Sequence, residues 1–181
     1  MSISESSVLV PYREPSQRAS LGGLQSERLI DRTLTRRLIA AWHSTHAPRV
    51  GWKVAFVLRE GSEIIGVSVW GLPTARSEDS SGRTWEHYRM ALSPSAPKNA
   101  ASFFIARNRE WIRREAPGVT RLIAYVDETI HSGVTYRADN WRTVYTGGRG
   151  RPWKPTTNRE GRLLHRKSPA LGSRAKFERS P

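Results

Sequence analysis

The chain has 181 residues, with 30 Lys and Arg against 16 Asp and Glu for a net charge of +14, 37% hydrophobic residues and no cysteine. That length suits one domain with tails, and the lack of cysteine excludes disulfides, thiolate metal sites and a cysteine nucleophile, so a reducing cytoplasm is the expected compartment. The positive surface favours polyanions; no apolar run reaches the roughly 18–20 residues of a membrane span, and Met-Ser-Ile-Ser-Glu does not open like a secretion signal.

Residues 1–30, with Pro11, Pro15 and Gly22-Gly23, read as a flexible lead-in with few apolar anchors. The folded unit is expected over 31–148. Asp31 can cap a helix in which Leu34, Leu38, Ile39, Ala41 and Trp42 recur at helical spacing before Pro48. Trp52, Val54, Phe56 and Leu58 alternate, Glu60-Gly61-Ser62 makes a turn, and Ile64 to Val69 return, which predicts an antiparallel hairpin. A polar loop leads to a third strand over 84–92. Ser95 and Pro97 suit the start of a helix through Phe104 and Trp111, ending at Pro117-Gly118. A buried strand over 119–126, a helical turn over 134–138 and a last strand over 143–146 complete the unit. From Arg149 onward ten basic residues face only Glu160 and Glu178, among prolines and glycines, so 149–181 reads as a basic, mostly disordered arm.

The expected fold is therefore α/β, a mixed α+β sheet in the order helix, three strands, helix, strand, short helix, strand. This order resembles that of an N-acyltransferase of the GNAT type, and four stretches sharpen the resemblance. Pro97-Lys98-Asn99-Ala100-Ala101-Ser102-Phe103-Phe104-Ile105, Tyr125-Val126-Asp127, Gly133-Val134-Thr135-Tyr136-Arg137-Ala138-Asp139-Asn140-Trp141 and Tyr145-Thr146-Gly147 together resemble the Mom family of phage DNA-modification proteins. The resemblance covers roughly residues 34–147 and includes Trp42-His43. It implies an enzyme of GNAT-like fold that converts adenine in duplex DNA to N6-carbamoylmethyladenine, shields phage DNA from host restriction, and draws on acetyl-CoA and an iron ion. The chain departs from the family pattern at His43-Ser44, where His-Tyr is usual, and at Asp127-Glu128, where Asp-Pro is usual.

Several residues can be assigned roles beside that implication. The helix opening near Pro97 offers unpaired N–H groups and a positive dipole end, and Lys98, Asn99 and Ser102 lie in its first turns, a cradle for the CoA pyrophosphate or an ordinary capped helix. The glycine-rich loop of ordinary acetyltransferases is missing there. Arg89, if it faces inward, needs an anion, either Glu86 or the cofactor. Asp127 ends a strand, where it can act as general base or merely cap a turn. Tyr136 is a candidate acid or stacking platform, or a core tyrosine. His43 and His46 can reach the same cleft, but His87, His131 and Asp127 are scattered as further metal ligands, so the ligand set is unassigned. Arg149, Arg151 and Lys154 are the expected contacts to double-stranded DNA, with Trp153 either stacking on an extruded base or packing on the domain edge. A homodimer is compatible with the sequence. Two other readings stand beside this one: an N-acetyltransferase acting on a protein or small amine, and a basic DNA-binding protein without catalysis.

Overall fold

The computed structural model describes residues 21–44, 51–75, 77–79, 81–149 and 173–181. After a 3-10 turn (Leu21–Gly23) come β1 (Leu24–Leu29), α1 (Arg32–Trp42), β2 (Val54–Glu60), β3 (Glu63–Gly71), β4 (Thr84–Leu92), α2 (Ala100–Glu115), β5 (Arg121–Asp127), α3 (Val134–Ala138), β6 (Arg142–Arg149) and β7 (Ser173–Arg179). The seven strands form one sheet in the order β1-β2-β3-β4-β5-β7-β6. Every neighbouring pair is antiparallel except β4 with β5.

The side-chain period of the strands divides the core between the two faces. Val54, Phe56 and Leu58 of β2 face α2, where they join Phe104, Ile105, Ile112, Leu122, Ala124 and Phe177. Ala55, Val67, Val69, Tyr88 and Ala91 face α1, around Ile39 and Trp52. Asp31 caps α1 as expected: its carboxylate accepts from the backbone N–H of Thr33 and Leu34 at 2.8 and 3.0 Å. The hairpin β2–β3 and the extent of β4 also match the sequence reading.

Three boundaries move. Residues 24–29, expected in the lead-in, form the edge strand β1, anchored by buried Leu24 with its remaining side chains half-buried or exposed. Residues 173–179, expected in the arm, form β7 in the body of the sheet, because Ala175 and Phe177 alternate into the core while Lys176 and Glu178 find ionic partners. The long helix starts at Ala100 and not at Pro97. Proline disfavours helical backbone in the residue before it, so 93–99 forms successive turns, with Ala96 N–H donating to Ser93 O and Ala100 N–H to Pro97 O.

Candidate active site

β4 and β5 run parallel and pair only from Thr84 with Arg121 to His87 with Ala124. Beyond that point residues 88–92 and 125–127 part, and no pairing joins the two strands among the described residues. A bulge marks the parting: Val69 pairs with Arg89 and Trp70 with His87, so Tyr88 is the extra residue. The Tyr88 hydroxyl donates to Leu72 O, and its ring lies so close to Gly71 that a Cβ there would sit 2.7 Å from the tyrosine oxygen. Only glycine lets the bulged side chain fold back on β3.

A polar network stands where the strands part. Buried His87 stacks on Trp70 with ring centroids 4.4 Å apart. Its Nε2 lies 3.0 Å from Ser68 Oγ, which accepts from Trp70 Nε1 at 3.0 Å, and its Nδ1 lies 2.8 Å from the Tyr136 hydroxyl. Burial, together with the like charges of His43 and Arg89, lowers the His87 pKa to about 3, so the ring is neutral. Trp70 can only donate, which leaves two proton arrangements. Either Ser68 donates to Nε2 and Nδ1–H donates to Tyr136, or Nε2–H donates to Ser68 and Nδ1 accepts from the tyrosine.

Tyr136 is held on three sides. Its ring stacks on Phe177 and meets Trp141 edge-on, each at 5.2 Å. Burial first, then the negative charge of Glu86, pushes its hydroxyl well above the usual tyrosine value, so it stays protonated. The helix that carries it begins after Gly133, at φ +71°, where a Cβ would lie 2.6 Å from the Phe177 ring. Asp139, at the end of α3, receives both Arg109 and Trp141 Nε1, which ties α3 to α2.

Asp127 ends β5 as expected. Its Oδ1 accepts from Thr129 N–H and Oγ1 at 3.0 and 2.5 Å, while Oδ2 has no partner among the described residues. It caps this turn and not the helical turn over 134–138, whose N-cap is Gly133. The same loop brings His131 Nε2 to 3.4 Å from Ser44 Oγ at the end of α1, directly after half-buried His43. Arg89 donates through Nη1 to Tyr88 O at 2.9 Å, and its register partner Val69 belongs to the cluster beneath α1. Glu86 Oε2 accepts from Thr74 N–H and Oγ1.

Lys98 and Asn99 are exposed at the start of α2, and Ser102 Oγ donates to Asn99 O at 3.0 Å. Asn99 is the N-cap, at φ +66°, without a side-chain cap bond. It thus takes the left-handed backbone that a glycine would otherwise supply, and asparagine is among the few residues that tolerate it. The parted strands and this helix start fit an acyl-CoA: an extended arm can bond the facing strand edges, and the N–H groups of the first turn can meet phosphate. Among the described residues no group of three His, Asp or Glu is placed to hold an iron ion. Of the expected DNA contacts, Arg149 ends β6, whereas Arg151, Trp153 and Lys154, like His46, lie outside the described residues. No helix among the described residues is long and apolar enough to cross a membrane.

Sequence reasoning missed His87 as the partner of Tyr136 and Ser68 as the partner of His87. The available signal was a serine between Val67 and Val69 in an otherwise apolar strand, but the network joins three elements, β3, β4 and α3, the last far from the others in sequence.

The chain is similar in structure to a Bacillus subtilis acetyltransferase solved with CoA, at 13% identity and TM-score 0.56 over 87% of this chain and 99% of that one. A putative acetyltransferase from Salmonella typhimurium, solved with acetyl-CoA, matches at 12% identity and TM-score 0.56 over 87% and 94%. The ribosomal-protein-S18-alanine N-acetyltransferase of Escherichia coli matches at 10% identity and TM-score 0.55 over 87% and 93%. The fold is that of the GNAT acetyltransferases, as the element order implied. The sequence matches no curated protein. Residues 27–178 match the Mom protein family.

Proposed function

Because the chain belongs to the Mom protein family, we propose that it modifies adenine in double-stranded DNA, converting it to N6-carbamoylmethyladenine and so shielding phage DNA from host restriction. The observation that carries this reading is the Tyr136 hydroxyl held by neutral His87 where β4 and β5 part. The net charge of +14 supports DNA as the substrate.

Acetyl-CoA, when bound, supplies a two-carbon unit as a thioester. Lys98, Asn99, Ser102 and the first N–H groups of α2 would hold its phosphates, and Arg89 is an added cation beside the bulge. The acetyl group holds no nitrogen, and joining its methyl carbon to N6 breaks a C–H bond with loss of two electrons, so the reaction requires as co-reactants an ammonia-level nitrogen donor, which displaces the CoA thiolate, and a two-electron oxidant. Tyr136 keeps a proton on its oxygen and offers it to the departing group, and His87 Nδ1–H then donates to the phenolate oxygen. Asp127 Oδ2 takes a proton from the attacking side as general base, and His43 stands at the end of α1 to orient the base. The adenine amine is paired inside the duplex, so the nucleotide must be extruded to reach these groups.

Mass spectrometry of nucleosides from plasmid DNA tests this in bacteria expressing the chain, beside Asp127→Ala and Tyr136→Phe. An adenosine species of carbamoylmethyl mass in the wild type, lost in both variants, is expected. Unmodified DNA with acetylated cell protein or amine would overturn it in favour of an ordinary N-acetyltransferase; bound but unmodified DNA would favour a non-catalytic binder.

A further inference from the structure

α1 has a charge pattern that works against its own stability. Arg32, Arg36 and Arg37 sit in its N-terminal half, where the helix dipole disfavours cations, and apart from the capping Asp31 the helix carries no acid. All three are exposed. None of them takes part in an ion pair among the described residues. Two are held in place all the same: the Arg32 and Arg36 guanidinium groups lie 5.2 and 5.5 Å from the ring centre of buried Trp52. Spaced one helical turn apart and braced on one indole, they lose little freedom when an anion arrives. Arg37 lies on the side of the helix away from its buried Thr35 and Ile39.

The other end of α1 leads to the candidate site, through His43 and the contact of Ser44 with His131. At 1.5 Å per residue, Arg36 and Arg32 stand roughly 10 and 16 Å along the axis from His43. This matches about three to five phosphates along one strand of a duplex. The outer face of α1 offers Thr33, Ala40 and Ala41 besides its arginines, and lacks the bulky apolar side chains that insert into a lipid surface.

We infer that the arginine face of α1 grips the phosphate backbone of duplex DNA and sets the target nucleotide at the His43 end of the helix. The inference rests on the reading of this chain as a DNA-modifying enzyme. It adds a folded docking face, distinct from the basic stretch after Arg149.

The test is the salt dependence of binding to a fluorescently labelled DNA duplex, measured by anisotropy. R32Q/R36Q/R37Q should lower the slope of log affinity against log salt by about 2.7, roughly 0.9 per phosphate contact. R107Q/R113Q/R114Q removes the same formal charge from α2 and should keep most of the slope; R32K/R36K/R37K should keep it too. Arg37→Gln alone, which disturbs no Trp52 contact, should lower the slope by about 0.9 even if the triple glutamine variant fails to fold. An unchanged slope in the Arg37→Gln and triple glutamine variants overturns the inference, as does an equal loss from α2. So does tighter binding of polyglutamate than of duplex, which would point to an acidic protein partner. Wild-type protein that binds no duplex ends the DNA reading itself, whereas duplex binding that ignores α1 ends only this docking face.

Discussion

Two polar clusters, each containing a tyrosine hydroxyl, lie on opposite faces of the strands around β5. On the α2 face, Tyr136 bonds His87, which bonds Ser68, and no group in the chain is charged. On the other face, Tyr125 donates to Glu78 at 3.0 Å, and Glu78 also pairs with Lys176 and Arg121. Both hydroxyls are pushed well above the usual tyrosine value, in each case by burial first. The charged cluster is closed: it fastens the segment around Glu78 to β5 and β7, and its charges neutralise one another. The neutral cluster ends on a hydroxyl where two strands separate, and a neutral hydroxyl there can give a proton without breaking an ion pair. A tyrosine is thus marked as chemical by where its hydroxyl bond leads, and less by the size of its shift.

The comparison can be broken at each tyrosine. Tyr136→Phe should lower the rate of adenine modification by about 10²–10⁴-fold, the range for loss of a positioned acid, in single-turnover assays with protein that still melts cooperatively. An equal loss from Tyr125→Phe would erase the distinction. Lys176→Met should destabilise by about 3 kcal/mol in chemical denaturation, since Glu78 would stay buried without its nearest cation.

Titration separates the two clusters by pH. His87 has a folded pKa of about 3 against an ordinary 6.5, so between these values the unfolded chain binds more protons and stability falls as pH falls. One such proton gives a slope of at most about 1.4 kcal/mol per pH unit. For Glu78 burial acts upward, but hydrogen bonds from Lys176 and Tyr125 and the charges of Lys176 and Arg121 prevail, so its folded pKa lies below 4.5. Its contribution is present above about 4.5 and is lost as pH falls through the folded value. His87→Gln should therefore flatten thermal stability between pH 6.5 and 4.5, and Glu78→Gln only below it. The smallest effect expected is a loss of about 1 kcal/mol in Tyr125→Phe from one hydrogen bond, with modification unchanged.

What could be read from the sequence follows the range of the forces involved. Asp31 capping α1 and the alternation of β2 and β3 are local, and each stands where it was read. β7 was hidden because its apolar signal is two residues, Ala175 and Phe177, between charges that read as solvated. Those charges are buried or half-buried by Glu78, Arg121 and Asp139, partners no local pattern reveals. The start of α2 was misplaced because Pro97 fits a first turn, while the left-handed Asn99 that begins the helix has no periodic signature. Asp127 and Tyr136 stood in the stretches that carried the family resemblance, whereas His87, the hydrogen-bond partner of Tyr136, stood in none of them.

β7 lies between β5 and β6 although it follows both in the chain. During synthesis, β5 and β6 must therefore wait unjoined until residues 173–179 have left the ribosome. Phe177 arrives with them, and it is the surface on which Gly133 and Tyr136 rest. A nascent or prematurely ended chain lacking those residues would have every side chain proposed here for chemistry yet no seat for its tyrosine. The seat of Tyr136 is complete only when β7 slides home.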